Sequence, residues 1–176
     1  AKKKLADAIF EALVGERFGS VVEPFAGSLH LSKEALNKGV ADKFIAAEAN
    51  SNMLNFWNVI KGNPNQFAED ANIILATLPR ERMYNRPGRL SPDGVALMRN
   101  FEATPVDNEY QLAIRDFVVN AMSDKPRPGM RSLFTPGTYI PKADAVKDSL
   151  LKSHELANKL EMFKDWSEVI GKAGDD

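Results

Sequence analysis

Val21-Val22-Glu23-Pro24-Phe25-Ala26-Gly27-Ser28 is the stretch that decides the fold of this chain. Its apolar start, read from Ser20 to Phe25, has strand length, and Gly27 allows a tight turn that can hold a small molecule against backbone. Helical spacing restarts at Leu31 to Leu36 and stops at Asn37-Lys38-Gly39. A second strand-like run, Lys43-Phe44-Ile45-Ala46-Ala47, closes on Glu48. Ser51 to Lys61 then carries Met53, Leu54, Trp57 and Ile60 at helical spacing, up to Gly62-Asn63-Pro64-Asn65, and Phe67 to Leu78 suggests another helix. Strand, helix, strand, helix in this order predicts a right-handed βαβ unit with parallel strands.

Toward the N-terminus, Leu5, Ile9, Leu13 and Val14 predict an amphipathic first helix after Lys2-Lys3-Lys4, stopped by Gly15 and packed on the sheet edge. From Pro79 to Pro105, Arg80, Arg82, Arg86, Arg89, Arg99 and Tyr84 interleave with Pro87, Gly88, Pro92 and Gly94, which predicts a loop-rich excursion with at most one short helix near 94–101. Tyr110 to Met122 returns to helical spacing. Lys125-Pro126-Arg127-Pro128-Gly129-Met130-Arg131 is a second basic, proline-punctuated loop, and Leu133 to Tyr139 a hairpin or loop. Ala143 to Leu160 reads as a long amphipathic helix, 161–166 as a third strand, and Ser167 to Ile170 as a short helix started by Ser167. Three segments follow: a βαβ half over 1–78, an excursion over 79–142, and a return helix with a third strand over 143–176.

The 176 residues, 44% of them apolar, can bury one respectable core. A net charge of −1 gives no global pull toward nucleic acid, so any DNA contact rests on a local basic patch. With no cysteine, and histidine only at 30 and 154, thiolate chemistry is excluded and a metal site is not expected. No apolar run reaches the roughly 20 residues that span a bilayer, and the basic start lacks the features of a signal peptide, so a soluble, cytoplasmic chain is expected.

Glu23-Pro24-Phe25-Ala26-Gly27-Ser28-Leu29 resembles the S-adenosylmethionine loop of Dam-like DNA adenine-N6 methyltransferases, usually EPF-x-G-(S/A)-G. Ala47-Glu48-Ala49-Asn50 is similar to that family's acid-x-Asn turn, and 52–61 to its next helix. Leu133-Phe134-Thr135-Pro136-Gly137-Thr138-Tyr139 resembles its F-N-x-P-x-G-x-Y stretch, and Asp165-Trp166 the acid and aromatic pair that flanks the cofactor adenine. The similarity runs over almost the whole chain and is strongest over 2–67. It implies an α/β fold, a partial Rossmann-like methyltransferase sheet with helices on both faces and a mostly helical and loop insertion. The implied cofactor is S-adenosylmethionine, held by Glu23, Pro24, Phe25, Gly27, Ser28, Glu48, Asp165 and Trp166. Glu48 inherits the ribose, whose two hydroxyls suit a carboxylate at a strand tip; by itself it also reads as a cap for the next helix. DNA is the implied partner of the basic loops, through Arg80, Arg82, Arg86, Arg89, Lys125, Arg127, Arg131 and Tyr139, because arginine forks onto phosphate oxygens. Without the resemblance, Trp57 and Trp166 read as core and His30 as a packed or surface residue at a helix start.

Two departures fall on the chemistry. Leu29 stands where the family has glycine, and its branched side chain is expected to narrow the cofactor pocket. The acid-Pro-Pro-aromatic motif, which in the family grips a flipped base, occurs nowhere in the chain, so no catalytic residue is assigned. The missing strand is expected to leave Val21 to Phe25 as an apolar sheet edge, open to self-association or a second chain. The expected function is that of a degenerate, non-catalytic methyltransferase-like protein that retains DNA or protein binding, in a phage or restriction-modification setting. The alternative is the cofactor-binding half of a split enzyme.

Overall fold

The computed structural model describes residues 2–13, 15–27, 29–81, 88–123 and 132–172, with the side chains of residues 2–5 left aside. Among them are eight α-helices and three strands: α1 (Lys2–Ala12), β1 (Val21–Glu23), α2 (His30–Lys38), β2 (Phe44–Ala47), α3 (Ser51–Ile60), α4 (Pro64–Thr77), α5 (Pro92–Ala103), α6 (Glu109–Met122), α7 (Ala143–Asn158), β3 (Leu160–Phe163) and α8 (Trp166–Ile170). The chain forms two compact units, one of residues 1–61 with 152–176 and the other of 62–151.

The first unit is α/β, with a small open parallel sheet in the order β1-β2-β3. Val21, Val22 and Glu23 pair with Phe44, Ile45 and Ala46, and Phe44 to Ala47 pair with Leu160 to Phe163. All four residues of the central strand are buried, which is why it reads as an unbroken apolar run rather than an alternating one. Alternation returns on β1. Val22 packs with Ile45, Ala47, Phe163 and Val169 of α8, whereas the Glu23 carboxylate meets the start of α2. Since neighbouring strand residues point to opposite faces, α8 and α2 cover opposite faces of the sheet.

The first helix differs from expectation. Ala6 and Phe10, four residues apart, form its buried stripe, and Ile9 and Leu13 are exposed. It packs on α2 rather than on the sheet edge, so the seat of the large Phe10 ring sets its rotation.

The second unit is helical, with α4 and α5 both packed on α6. Asn63, Ser91 and Asn108 cap these helices by accepting the amide protons of Gln66, Gly94 and Gln111. Pro64 and Pro92 follow two of the caps, where a missing N–H costs nothing. The 92–103 helix is longer than the short one expected near 94–101. Its first turn is closely packed: a Cβ on Gly94 would lie 2.5 Å from Leu90 Cδ1 and 2.8 Å from the Pro79 carbonyl oxygen. Residues 133–139 form no strand; Tyr139 makes a single antiparallel bridge to Arg89.

Leu29 explains how β1 hands the chain to α2. It is the one non-glycine residue with positive φ among those described, at φ 53° and ψ 47°. This left-handed conformation costs a side-chain-bearing residue about 1–2 kcal/mol. Its side chain is fully buried, and burying a leucine contributes about 1.5–3 kcal/mol. Burial wins. Leu29→Ala is expected to lose the packing and keep the strain, and Leu29→Gly to lose the packing and shed the strain. Both should melt below the parent, with the glycine variant about 1 kcal/mol more stable than the alanine one; thermal denaturation giving the reverse order would refute the account.

Candidate functional site

The C-terminal ends of the three parallel strands come together at one cavity of about 290 Å³. Pro24, Phe25 and Gly27 reach it from the turn after β1, Ala47, Glu48 and Ala49 from the end of β2, and Lys164 and Trp166 from beyond β3. Open parallel sheets bind ligands at this place, because the chain leaves every strand there and exposes loop backbone.

Glu48 organises the cavity. One carboxylate oxygen accepts the Gly27 amide at 2.7 Å, and the other accepts the Asn50 amide at 2.8 Å. Its own amide donates to the Phe163 carbonyl at 2.9 Å, and the Ala26 amide donates to the Ala47 carbonyl at 2.9 Å. The turns after β1 and β2 are thereby locked together, with the start of the β3 exit held to them. A carboxylate offers about four acceptor positions, and the two amides leave capacity for hydroxyl donors. Capping of α3 falls to Asn50, whose side chain accepts the amides of Asn52 and Met53.

Phe25 and Trp166 provide the apolar walls. Their ring centroids are 6.5 Å apart at 39°, and they are 74% and 50% exposed. Trp166 is thus not a core residue, whereas Trp57, 1% exposed, is. Holding a planar ring between two others takes about 7–8 Å, twice the contact distance of carbon atoms. A ligand ring therefore stacks on one wall, or moves the more exposed Phe25 slightly outward.

Glu23, Asp165 and Leu29 do not line the cavity. The Glu23 carboxylate accepts the amides of Leu31 and Ser32 at 3.4 and 3.0 Å and the Ser32 hydroxyl at 2.6 Å, capping α2 from the strand because Leu29 offers no capping side chain. Asp165 starts α8 in place of Ser167: its carboxylate accepts the Ser167 amide and hydroxyl, both at 2.8 Å, and these bonds hold its pKa below the ordinary carboxylate value. Leu29 is buried, with left-handed backbone, and its side chain is not among those that line the cavity. His30 is the first residue of α2. Lys164 is an addition that the sequence did not single out, since one lysine after a strand carries no signal of its own.

Of the residues assigned to DNA, Arg80, Arg89 and Tyr139 are described. Arg80 is exposed and pairs with Leu90 through an antiparallel bridge. Arg89 donates to the Gly137 carbonyl at 2.6 Å, which makes it a strut of its own loop. A Cβ on Gly88 would lie 3.6 Å from Arg80 Nη1 and 3.8 Å from the Tyr139 ring, so those two groups flank the same glycine. Ser28, Arg82, Tyr84, Arg86, Lys125, Arg127 and Arg131 lie outside the described residues. No group of three or more acidic or imidazole side chains able to hold a metal ion occurs among the described residues, and no described helix is long and apolar enough to cross a membrane.

Lys33 stands close to the Glu23 clamp, its Nζ 5.2 Å from the Trp57 ring. Burial depresses its pKa, and the Glu23 charge opposes that effect in part. The unfolded chain keeps this proton up to about pH 10.4, while the folded chain releases it earlier. Between the two values the unfolded state binds more protons, so stability rises with pH there, and below the folded value the full burial cost persists. Lys33→Met is expected to raise the melting temperature near neutral pH and to flatten that alkaline rise; melting below the parent would show that the contacts with Glu23 and Trp57 outweigh desolvation.

No protein-family model matches the chain, and comparison with curated proteins returns no match.

Proposed function

We propose that the chain binds S-adenosylmethionine in the strand-end cavity, as the cofactor-binding part of a Dam-like DNA adenine-N6 methyltransferase with a partial Rossmann-like sheet. The observation that carries the reading is the convergence of Pro24, Phe25, Gly27, Glu48 and Trp166, assigned one by one from the sequence, around one cavity at the strand ends. Leu29 is buried and does not line that cavity, which is compatible with the reading.

The residues fit the group chemically. Glu48 is already oriented by two amides and can accept hydrogen bonds from a ribose diol. Phe25 and Trp166 offer ring faces to adenine, and Gly27, at φ 50°, gives a turn without a side chain where the cofactor must approach backbone. When bound, S-adenosylmethionine supplies an activated methyl group. The chain's own residues bind and orient it; gripping a target amine needs an acid-Pro-Pro-aromatic strand, which these 176 residues do not contain.

Calorimetric titration of the chain with S-adenosylmethionine is expected to show one site, and Trp166→Ala and Glu48→Ala are each expected to weaken binding by about tenfold or more. Absence of binding up to about 1 mM, an affinity of only about 4 kcal/mol, would sink the reading. For DNA, the proposed partner, contact is assigned to Arg80 beside Tyr139. Arg80→Ala is expected to lower the salt dependence of duplex binding by about one counterion, measured as the slope of log affinity against log salt; an unchanged slope would remove Arg80 from the interface.

A further inference from the structure

The helical unit holds a second and larger cavity, of about 630 Å³, within the size range of small-molecule sites. Its floor is apolar, made by Ile74 of α4, Phe101 of α5, Val106 of the connection and Ile114 of α6. Six polar side chains also line it, and the two charged ones, Asp70 and Arg115, with Tyr110 beside Asp70, weigh most on what it can hold.

Arg115 is partly engaged. Its Nη1 donates to the Thr104 carbonyl at 3.0 Å, and its Nε lies 3.6 Å from the Asp116 carboxylate. Asp70 is held differently, because both of its partners are neutral: Gln66 Nε2 at 3.0 Å and the Tyr110 hydroxyl at 2.7 Å. No cation pairs with it among the described residues. Burial and the bond to Asp70 raise the Tyr110 pKa, so the phenol stays neutral and keeps donating its proton. The Asp70 carboxylate is therefore a fixed, oriented negative charge with acceptor capacity left over. It opens onto a cavity that Tyr110 and Phe101 also line. Aromatic faces beside a carboxylate favour an organic cation, through the negative face of each ring and the charge of the acid. An anion would meet the uncompensated Asp70, and a neutral apolar molecule would leave that charge desolvated without a partner.

We propose that the cavity between α4, α5 and α6 is a binding site for a small arylalkylamine, its ammonium held by Asp70 beside Tyr110 and its apolar body lying on Ile74, Phe101 and Val106. The site is independent of the S-adenosylmethionine reading and lies wholly within residues 62–151. The probe is phenethylamine, titrated into the isotope-labelled chain and followed by amide NMR shifts. Its neutral isostere 2-phenylethanol, the anion 3-phenylpropionate and the plain alkylamine n-butylamine serve as comparisons. Shifts are expected to cluster in residues 70–74 and 101–115, with phenethylamine binding about tenfold tighter than each of the three. Asp70→Asn should erase the preference over 2-phenylethanol, and Ile74→Arg, at a partly exposed position that tolerates a long side chain, should abolish binding while the chain keeps its melting transition. Equal affinity for 2-phenylethanol or n-butylamine, shifts centred elsewhere, or an unaltered preference in Asp70→Asn would each overturn the assignment. If Asp70→Asn fails to fold, the comparison of the four probes on the parent chain and the Ile74→Arg result decide the matter.

Discussion

The first unit depends on a carboxylate that belongs to neither a helix nor a strand. Glu48 accepts the Gly27 amide with one oxygen and the Asn50 amide with the other. Turns at the ends of parallel strands leave backbone amides pointing away from the sheet, where no neighbouring strand can satisfy them. A single carboxylate reaching between two such turns satisfies one amide from each, and charge-assisted bonds of this kind are the stronger ones. The cavity is a consequence of that clamp. Its walls come from three separate strand exits, and two of them hold their spacing because Glu48 ties them together. A ligand that donates to the remaining acceptor positions meets an oxygen pair already fixed in place, so little ordering is left for binding to impose.

Glu23 repeats the solution one turn earlier, and Leu29 shows why it is needed. A helix start leaves its first amides without partners, and the residue before the helix usually supplies an oxygen. Here that residue is a leucine whose side chain lies in the core. The oxygen comes instead from Glu23, eight and nine residues back. Backbone strain at Leu29, its buried side chain and the remote cap form one arrangement: the leucine gives up capping to fill the core, and the strand end does the capping.

Much of this was legible in the sequence, and what was not has identifiable causes. Strand and helix order followed from apolar runs and their punctuation, since Gly39 and Pro64 mark boundaries through backbone chemistry that operates whatever the tertiary context, whereas Pro92, read as part of a loop, in fact opens α5. The strand-end position of the cavity residues was legible because each lies just beyond an apolar run of strand length. The direction of the Leu29 side chain was not. Positive φ is rare in a residue with a branched side chain, so nothing in the order of residues announces the conformation that Leu29 adopts. The rotation of α1 escaped for a related reason. Leu5, Ile9 and Leu13 make as good a stripe as Ala6 and Phe10, and only the facing helix α2 chooses between them. The second cavity was invisible, because Asp70, Phe101 and Tyr110 belong to three different helices and share no spacing.

The edge of the sheet is the remaining consequence. An unpaired strand is a hazard in proportion to the length of flat, apolar backbone it offers. β1 offers three residues, and they are not uniformly apolar at the surface: Val21 is buried, Val22 is partly covered and packs with Val169, and Glu23 is tied to α2. β1 is at the edge of the sheet, as expected, but the edge runs over three residues, not five, and is only partly apolar. Pro24 ends the hydrogen-bonding potential one residue later, since it has no N–H to offer a neighbour. What stays exposed is the Phe25 ring, and it faces Trp166 across the mouth of the strand-end cavity. The apolar surface that would have called for a covering strand is thus concentrated where a ligand ring can cover it.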